Sequence, residues 1–125
     1  MATPILPVLV VEDNPEIRSM VVEMLEFEGY HVAEAPNGAE GLKLLESIRP
    51  GLVLLDMRMP VLDGWGFARA LKQQEVRPPV VVMTATENAR RWAYEVEADG
   101  YLAKPFDLKD LLEAVARFHK PRFAS

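Results

Sequence analysis

The sequence contains no cysteine, which excludes disulfide bonds, thiol chemistry and zinc–thiolate sites. It also lacks a run of lysine and arginine, and its net charge of −5 argues against a face that binds nucleic acid. The apolar segment at residues 5–11 is too short for a membrane span or a signal-peptide core, and Pro7 interrupts it. These absences indicate a cytoplasmic protein that contacts neither nucleic acid nor membrane directly.

The length and composition are those of one globular unit. The 125 residues are enough for a domain with a buried core and leave no room for a second. Half of the residues are apolar, which is ordinary for a soluble protein. We therefore predict a single domain over residues 1–125, with a core at about residues 5–119 and a short C-terminal tail.

Four short apolar segments each run directly into a polar side chain. Continuous runs of Val and Leu are typical of strands that are buried on both faces of a parallel sheet. In open α/β sheets the carboxyl ends of the strands form the edge where ligands bind. The polar residues that follow these segments are Glu12 and Asp13, Asp56, Thr84, and Lys104. They are therefore predicted to converge at one edge of the sheet.

Helix caps separate the predicted strands. Asn14 followed by Pro15 is a typical helix start, and Asn37 and Asp107 are predicted to cap two later helices. Gly29 is predicted to end the first helix, because glycine readily adopts the left-handed conformation found there. Apolar residues at helical spacing follow each cap.

The chain is thus predicted to repeat a strand–helix unit five times. The first two strands are placed at residues 5–11 and 31–35, the third and fourth helices at 65–74 and 87–98, and the end of the last helix at 120–121. Connections between parallel strands are right-handed and need covering helices. The prediction is a three-layer α/β sandwich of the flavodoxin-like type, with a parallel five-stranded sheet in the order 2-1-3-4-5.

Three carboxylates at one edge would repel each other, and without a counterion at least one should resist ionisation. Mg²⁺ relieves such repulsion, since it prefers oxygen ligands and usually takes one or two carboxylates. Asp56 is a candidate nucleophile, because carboxylates can form aspartyl phosphates. Lys104 and the Thr84 hydroxyl could then neutralise or hydrogen-bond a phosphoryl group.

Together these motifs resemble the response-regulator receiver domains of two-component signalling, including the single-domain chemotaxis-type regulators. The resemblance covers roughly residues 6–118. The matching motifs are Val11-Glu12-Asp13-Asn14, Leu55-Asp56-Met57 with Met59-Pro60 and Asp63-Gly64, Thr84-Ala85, and Tyr101-Leu102-Ala103-Lys104-Pro105-Phe106.

The resemblance implies a role for each matching residue. Asp56 corresponds to the phospho-acceptor and Lys104 to the phosphoryl-binding lysine, whose bond to the following proline is expected to be cis. Asp13 corresponds to a direct Mg²⁺ ligand, and Glu12 to a ligand that acts through water. Arg58 should contribute its backbone carbonyl to the metal.

The resemblance also implies a conformational switch. Thr84 corresponds to the switch hydroxyl and Tyr101 to the switch aromatic, which together reshape the surface of the fourth helix, fifth strand and fifth helix. Such a change is a population shift driven by a local charge event. A sensor histidine kinase or phosphotransfer protein would donate the phosphoryl group, and an unidentified effector protein would bind the changed surface, with the chain a monomer or a phosphorylation-dependent dimer.

Two residues depart from the commonest family pattern. Arg58 is a large cation at a position that influences phosphoryl lifetime, and we expect it to overhang the phosphoryl group and hinder attacking water. Glu97 lies where the family more often has Gly, which makes the end of the fourth helix uncertain. Trp65 and Trp92 are expected to be buried or half-buried, and Trp92 could also contact a partner.

Three other functions compete with the switch. The chain could be a pseudo-receiver that only binds partners, but its complete set of site residues argues against this. It could be a phosphatase or phosphotransferase, but Arg58 stands where such enzymes usually place a second acid. A flavin-binding electron carrier would need a phosphate loop where Glu12 and Asp13 stand. We therefore expect no enzyme activity beyond self-catalysed phosphoryl uptake and autodephosphorylation.

Overall fold

The computed structural model describes residues 6–75 and 77–119. Five strands alternate with five helices, as the strand–helix pattern predicts. The strands are β1 (Val8–Val11), β2 (Val32–Ala35), β3 (Leu52–Asp56), β4 (Val80–Ala85) and β5 (Gly100–Lys104). The helices are α1 (Pro15–Phe27), α2 (Gly38–Leu44), α3 (Gly64–Leu71), α4 (Thr86–Glu95) and α5 (Leu108–Phe118).

The sheet is parallel throughout, with the strand order β2-β1-β3-β4-β5. The predicted fold class and strand order are therefore confirmed. Every residue of β1 and β3 is buried, because helices cover both faces of the sheet. No helix in the described part of the chain has the length and apolar character needed to cross a bilayer.

The core consists of two apolar layers, one on each face of the sheet. Successive strand residues point to opposite faces, so Leu9 and Leu55 belong to one layer and Val10 and Leu54 to the other. The first layer contains α3 and α4 residues such as Phe67, and the second contains residues of α1 and α5. The two layers hold the central strands in place, and the ends of these strands carry the polar residues.

The predicted helix caps are confirmed. The Asn14 side chain accepts hydrogen bonds from the backbone of Glu16 and Ile17, at 2.9 and 3.0 Å. The Asn37 and Asp107 side chains cap α2 and α5 in the same way. Each cap satisfies a backbone N–H that has no partner within its own helix.

Several element ends differ from the sequence prediction. Strand β1 begins at Val8, and residue 5 lies outside the described residues, as does the predicted helix end at 120–121. Helix α3 begins at Gly64 and ends at Leu71, three residues earlier than predicted, and a turn follows it. Helix α4 occupies Thr86–Glu95 instead of residues 87–98.

The early end of α4 has a specific backbone cause. Glu97 takes a left-handed conformation with φ of 56°, and the backbone N–H groups of Glu97 and Ala98 donate to the Tyr94 and Ala93 carbonyls. This hydrogen-bond pair is the Schellman motif, which usually has glycine at the left-handed position. Gly29, with φ of 95°, ends α1 by the same pair of bonds. The prediction for Gly29 is therefore confirmed. Glu97 occupies the position where this motif usually has glycine and adopts the same left-handed conformation.

Candidate functional site

The carboxyl ends of β1 and β3 bring three acidic side chains together. Glu12 and Asp13 follow β1 directly, and Asp56 is the last residue of β3. Carboxylate oxygens of all three lie within 4.8 Å of one another. The predicted convergence of these residues is therefore present, and it arises because β1 and β3 are neighbours in the sheet.

Lys104 brings a positive charge to the acidic group from the end of β5. Its Nζ lies 2.8 Å from Oε1 of Glu12 and 3.6 Å from Oδ1 of Asp56. The lysine therefore interacts with two carboxylates at once, and its shorter contact is with Glu12. The bond from Lys104 to Pro105 is cis, as expected.

Asp56 is the most perturbed acid of the site. Only 7 % of its side chain is exposed. The pKa of Asp56 is raised to about 8, first by burial and second by the neighbouring charge of Glu12, while Lys104 acts in the opposite direction. The direction of this shift agrees with the expectation that one carboxylate resists ionisation without a counterion.

Glu12 is nearly inaccessible, with 1 % exposure, and its contacts fix the turn that carries Asp13. Its Oε2 accepts a hydrogen bond from the Asn14 backbone at 3.2 Å. Arg18, on the first turns of α1, donates to the backbone carbonyl of Glu12 at 2.8 Å and pairs with Glu34 of β2 at 3.1 Å. Arg18 was not among the predicted site residues. A cation one helical turn beyond the cap of an acidic turn is the signal that could have identified it.

The acidic group fits a hard divalent cation. Three carboxylates can place oxygens within 4.8 Å of one another, and oxygen donors of this kind are the ligands that Mg²⁺ prefers. The raised pKa of Asp56 shows that its surroundings disfavour the charged form when no cation is bound. A cation bound there would replace the proton on Asp56 and relieve the repulsion among the carboxylates.

Comparison with known proteins agrees with this site and fold. Residues 8–116 match the family model for the response regulator receiver domain. The chain belongs to this family. Receiver domains of response regulators act in two-component signalling, so that part of the sequence interpretation is confirmed.

One relative by sequence is the "Positive alginate biosynthesis regulatory protein" of Pseudomonas aeruginosa. It is 41% identical over 117 residues, which cover 91% of this chain and 47% of the relative. The receiver domain thus spans about half the length of the relatives that it matches.

Two solved structures have the same fold. The chemotaxis response regulator CheY4 of Vibrio cholerae is 32% identical, with a TM-score of 0.82 and coverage of 91% of this chain and 98% of that one. The receiver domain of sensor histidine kinase PA1611 from Pseudomonas aeruginosa is also 32% identical, with a TM-score of 0.83 and coverage of 90% and 96%. That structure has a magnesium ion coordinated in its active-site cleft.

The two residues assigned to the switch lie on β4 and β5 of the receiver domain. Asp56 is paired with Met83 in the sheet, so the buried Thr84 is the next residue along β4 toward the site. Tyr101 is near the start of β5 and is 49% exposed, so its ring is accessible on the surface. Their positions fit the expected roles, which remain predictions.

Arg58 makes a contact that the sequence did not predict, while its expected effect on phosphoryl lifetime stays a prediction. Its guanidinium carbon lies 5.2 Å from the centre of the Trp92 ring, a cation–π contact with α4. Trp92 is 6% exposed, which agrees with the expected burial and leaves little of it for a partner. Trp65 is half-buried, as expected, and packs edge-on against Trp92. Nothing in the sequence pattern indicated this cluster, because its members come from a loop and two helices.

Proposed function

We propose that the receiver domain accepts a phosphoryl group on Asp56 from a sensor histidine kinase or phosphotransfer protein. The observation that carries this proposal is the placement of Asp56. Its carboxylate is buried at the end of the central strand, with two further carboxylates nearby and the Lys104 ammonium 3.6 Å away. A carboxylate nucleophile in phosphoryl transfer needs an arrangement that neutralises charge more than it needs covalent help.

The acidic group supports a role for Mg²⁺ in this transfer. Asp13 and Asp56 would bind the ion directly, the Arg58 backbone carbonyl would add a third ligand, and Glu12 would act through water. Bound there, Mg²⁺ supplies positive charge that offsets the charge of the phosphoryl oxygens. The raised pKa of Asp56 supports this assignment, because burial disfavours its charged form and a bound cation would offset that cost.

Lys104 and Thr84 contribute groups of the protein itself. Lys104 already lies between Glu12 and Asp56, so a phosphoryl group on Asp56 would compete with Glu12 for the ammonium. The Thr84 hydroxyl would donate a hydrogen bond to a phosphoryl oxygen from the end of β4. Movement of Thr84, followed by an inward turn of the Tyr101 ring, would then change the surface formed by α4, β5 and α5.

The output of the receiver domain is proposed to be protein contact. The changed surface would bind an effector protein or a second copy of the chain, with no direct contact to nucleic acid or membrane. Chemistry would be limited to self-catalysed phosphoryl uptake and slow autodephosphorylation, so the chain would not be an enzyme acting on other substrates. A cytoplasmic location would give it access to its phosphodonor.

The test is the intact mass after incubation with acetyl phosphate and Mg²⁺. We expect a gain of one phosphoryl group that disappears in Asp56→Asn and in the presence of a metal chelator. A matched control is Asp63→Asn, which changes another aspartate in the loop after β3, where the side chain caps α3. Uptake that persists in Asp56→Asn, or that does not need the metal, would contradict the proposal.

A further inference from the structure

Arg58 contacts one aromatic ring in the structure and would have a second partner nearby in the proposed phosphorylated state. It stands two residues after Asp56, in the loop that connects β3 to α3. Its guanidinium packs over the face of Trp92, which belongs to α4. A phosphoryl group on Asp56 would place a second attractive group, a doubly charged anion, close to the same side chain. In the phosphorylated state, the Trp92 indole ring and the phosphoryl group would therefore compete for the Arg58 guanidinium.

The indole face is held firmly in place. Trp92 is 6% exposed, and Trp65 packs edge-on against it with ring centres 4.8 Å apart. The Nε1–H of Trp65 donates to Glu95 at 3.0 Å, which ties α3 to the same helix that carries Trp92. Contacts other than the one with Arg58 therefore hold the Trp92 ring in place, and the ring offers the guanidinium a rigid surface. Because the Trp92 side chain is already held in one conformation, it loses little conformational entropy when a cation binds to its ring.

We infer that Trp92 is a positioning residue that holds the Arg58 guanidinium away from Asp56 and thereby shortens the lifetime of the phosphorylated state. The inference rests on the proposed phosphorylation of Asp56. While Arg58 lies on the indole face, water can approach the phosphoryl group. When the guanidinium leaves the ring, it binds phosphoryl oxygens and obstructs the attacking water.

Removal of the aromatic face should therefore slow autodephosphorylation. Arg58 is exposed, and a cation–π contact at an exposed site shifts an equilibrium by roughly two- to fivefold. The equilibrium here is between the guanidinium on the Trp92 ring and the guanidinium at the phosphoryl group. We expect Trp92→Leu to lengthen the phosphoryl half-life by roughly that factor, and Trp92→Phe to have a smaller effect because a benzene ring binds cations less strongly. Tyr94→Leu is the matched control, since Tyr94 is an 84% exposed aromatic residue of the same helix. Its half-life should equal that of the wild type.

A double-mutant cycle separates a positioning role of Trp92 from a general change in the packing of side chains around it. If Trp92 acts through Arg58, Trp92→Leu should lengthen the half-life only while Arg58 is present, and should have no effect in Arg58→Met. A purely structural effect of Trp92→Leu would appear in both backgrounds and would overturn the inference. An unchanged or shortened half-life in Trp92→Leu, in protein with a native circular dichroism spectrum, would also overturn it.

A second measurement does not depend on phosphorylation. In Trp65→Phe, Trp92 is the single tryptophan, and its emission should change when Arg58→Met removes the cation from its face. Identical emission from both proteins would overturn the contact on which the inference depends. A wild-type protein that takes up no phosphoryl group would overturn the proposed function and the inference together. Normal uptake without coupling between Arg58 and Trp92 would overturn the inference alone.

Discussion

Replacement of Asp56 by asparagine should stabilise the metal-free receiver domain, by an amount that grows with pH. The folded protein raises the pKa of Asp56 from 3.8 to about 8, chiefly by burial. The folded state therefore binds this proton more tightly than the unfolded chain does. The stability that this proton contributes is complete below pH 4 and is lost as the pH rises through 8. Asparagine has no such proton to lose.

The size of the expected gain in free energy of unfolding follows from the shift in the pKa of Asp56. About four pKa units at ~1.4 kcal/mol each give a ceiling of ~6 kcal/mol. Water at the rim of the site screens the charge, because 7 % of the side chain remains exposed. We therefore expect Asp56→Asn to exceed the wild type by ~3 kcal/mol in free energy of unfolding at pH 8.5, and by less than ~1 kcal/mol at pH 4.5.

The assay is urea unfolding with a chelator at pH 4.5, 6.5 and 8.5, followed by tryptophan fluorescence. Glu46→Gln removes an exposed carboxylate and controls for the loss of one negative charge. Saturating Mg²⁺ should stabilise the wild type more than Asp56→Asn and reduce the difference at high pH, because the ion binds only the folded state. An advantage of Asp56→Asn that is equal at all three pH values would refute the electrostatic reasoning.

Substitutions at three further positions test the structure around the site. Arg18→Met should weaken Mg²⁺ binding several-fold by loosening the turn at Glu12, and Arg18→Lys should restore part of it; equal affinities in a fluorescence titration would contradict this. Val61→Gly should raise the free energy of unfolding by ~1 kcal/mol, because this 81% exposed residue has φ of 71°, whereas Val61→Ala should bring no such gain in urea unfolding. Gly64→Ala should cost ~2 kcal/mol in the same assay, because a Cβ there would lie 2.8 Å from the Asp56 carbonyl oxygen; an unchanged midpoint would show that the loop yields easily.

The sequence predicted the parts of the molecule that local patterns determine. Apolar runs located the strands, and Asn14, Asn37 and Asp107 located three helix starts, because each signal lies within a few residues. The order of the strands was that of the flavodoxin-like arrangement, one of the common orders for repeated strand–helix units. The polar residues at strand ends could then be placed together, although they are up to 92 positions apart, as Lys104 and Glu12 are.

The errors arose where tertiary contacts or unusual backbone conformations determine the end of an element or the partner of a side chain. Helix α4 ends at a left-handed glutamate; the family pattern drew attention to Glu97, but the residue type itself does not indicate a glycine's conformation. Glu97 also pairs with Lys72 of the segment after α3, a contact between distant parts of the chain. The contacts of Arg18 with Glu34 and of Arg58 with Trp92 are of the same kind. Spacing along the chain carries no information about such pairs.

Asp56 and Lys104 lie on strands that the sheet holds in place to different degrees. Asp56 ends β3, which has a hydrogen-bonded strand on each side. Lys104 ends β5, which lies at the edge of the sheet and pairs with β4. Displacement of strand β3 would break two ladders of hydrogen bonds, whereas displacement of β5 would break one, although Asp56 itself is in register only with Met83 of β4. If the proposed phosphorylation adds charge at Asp56, we expect Lys104 to move more readily than the acceptor, and we expect this motion to affect the edge strand β5, where Tyr101 is exposed.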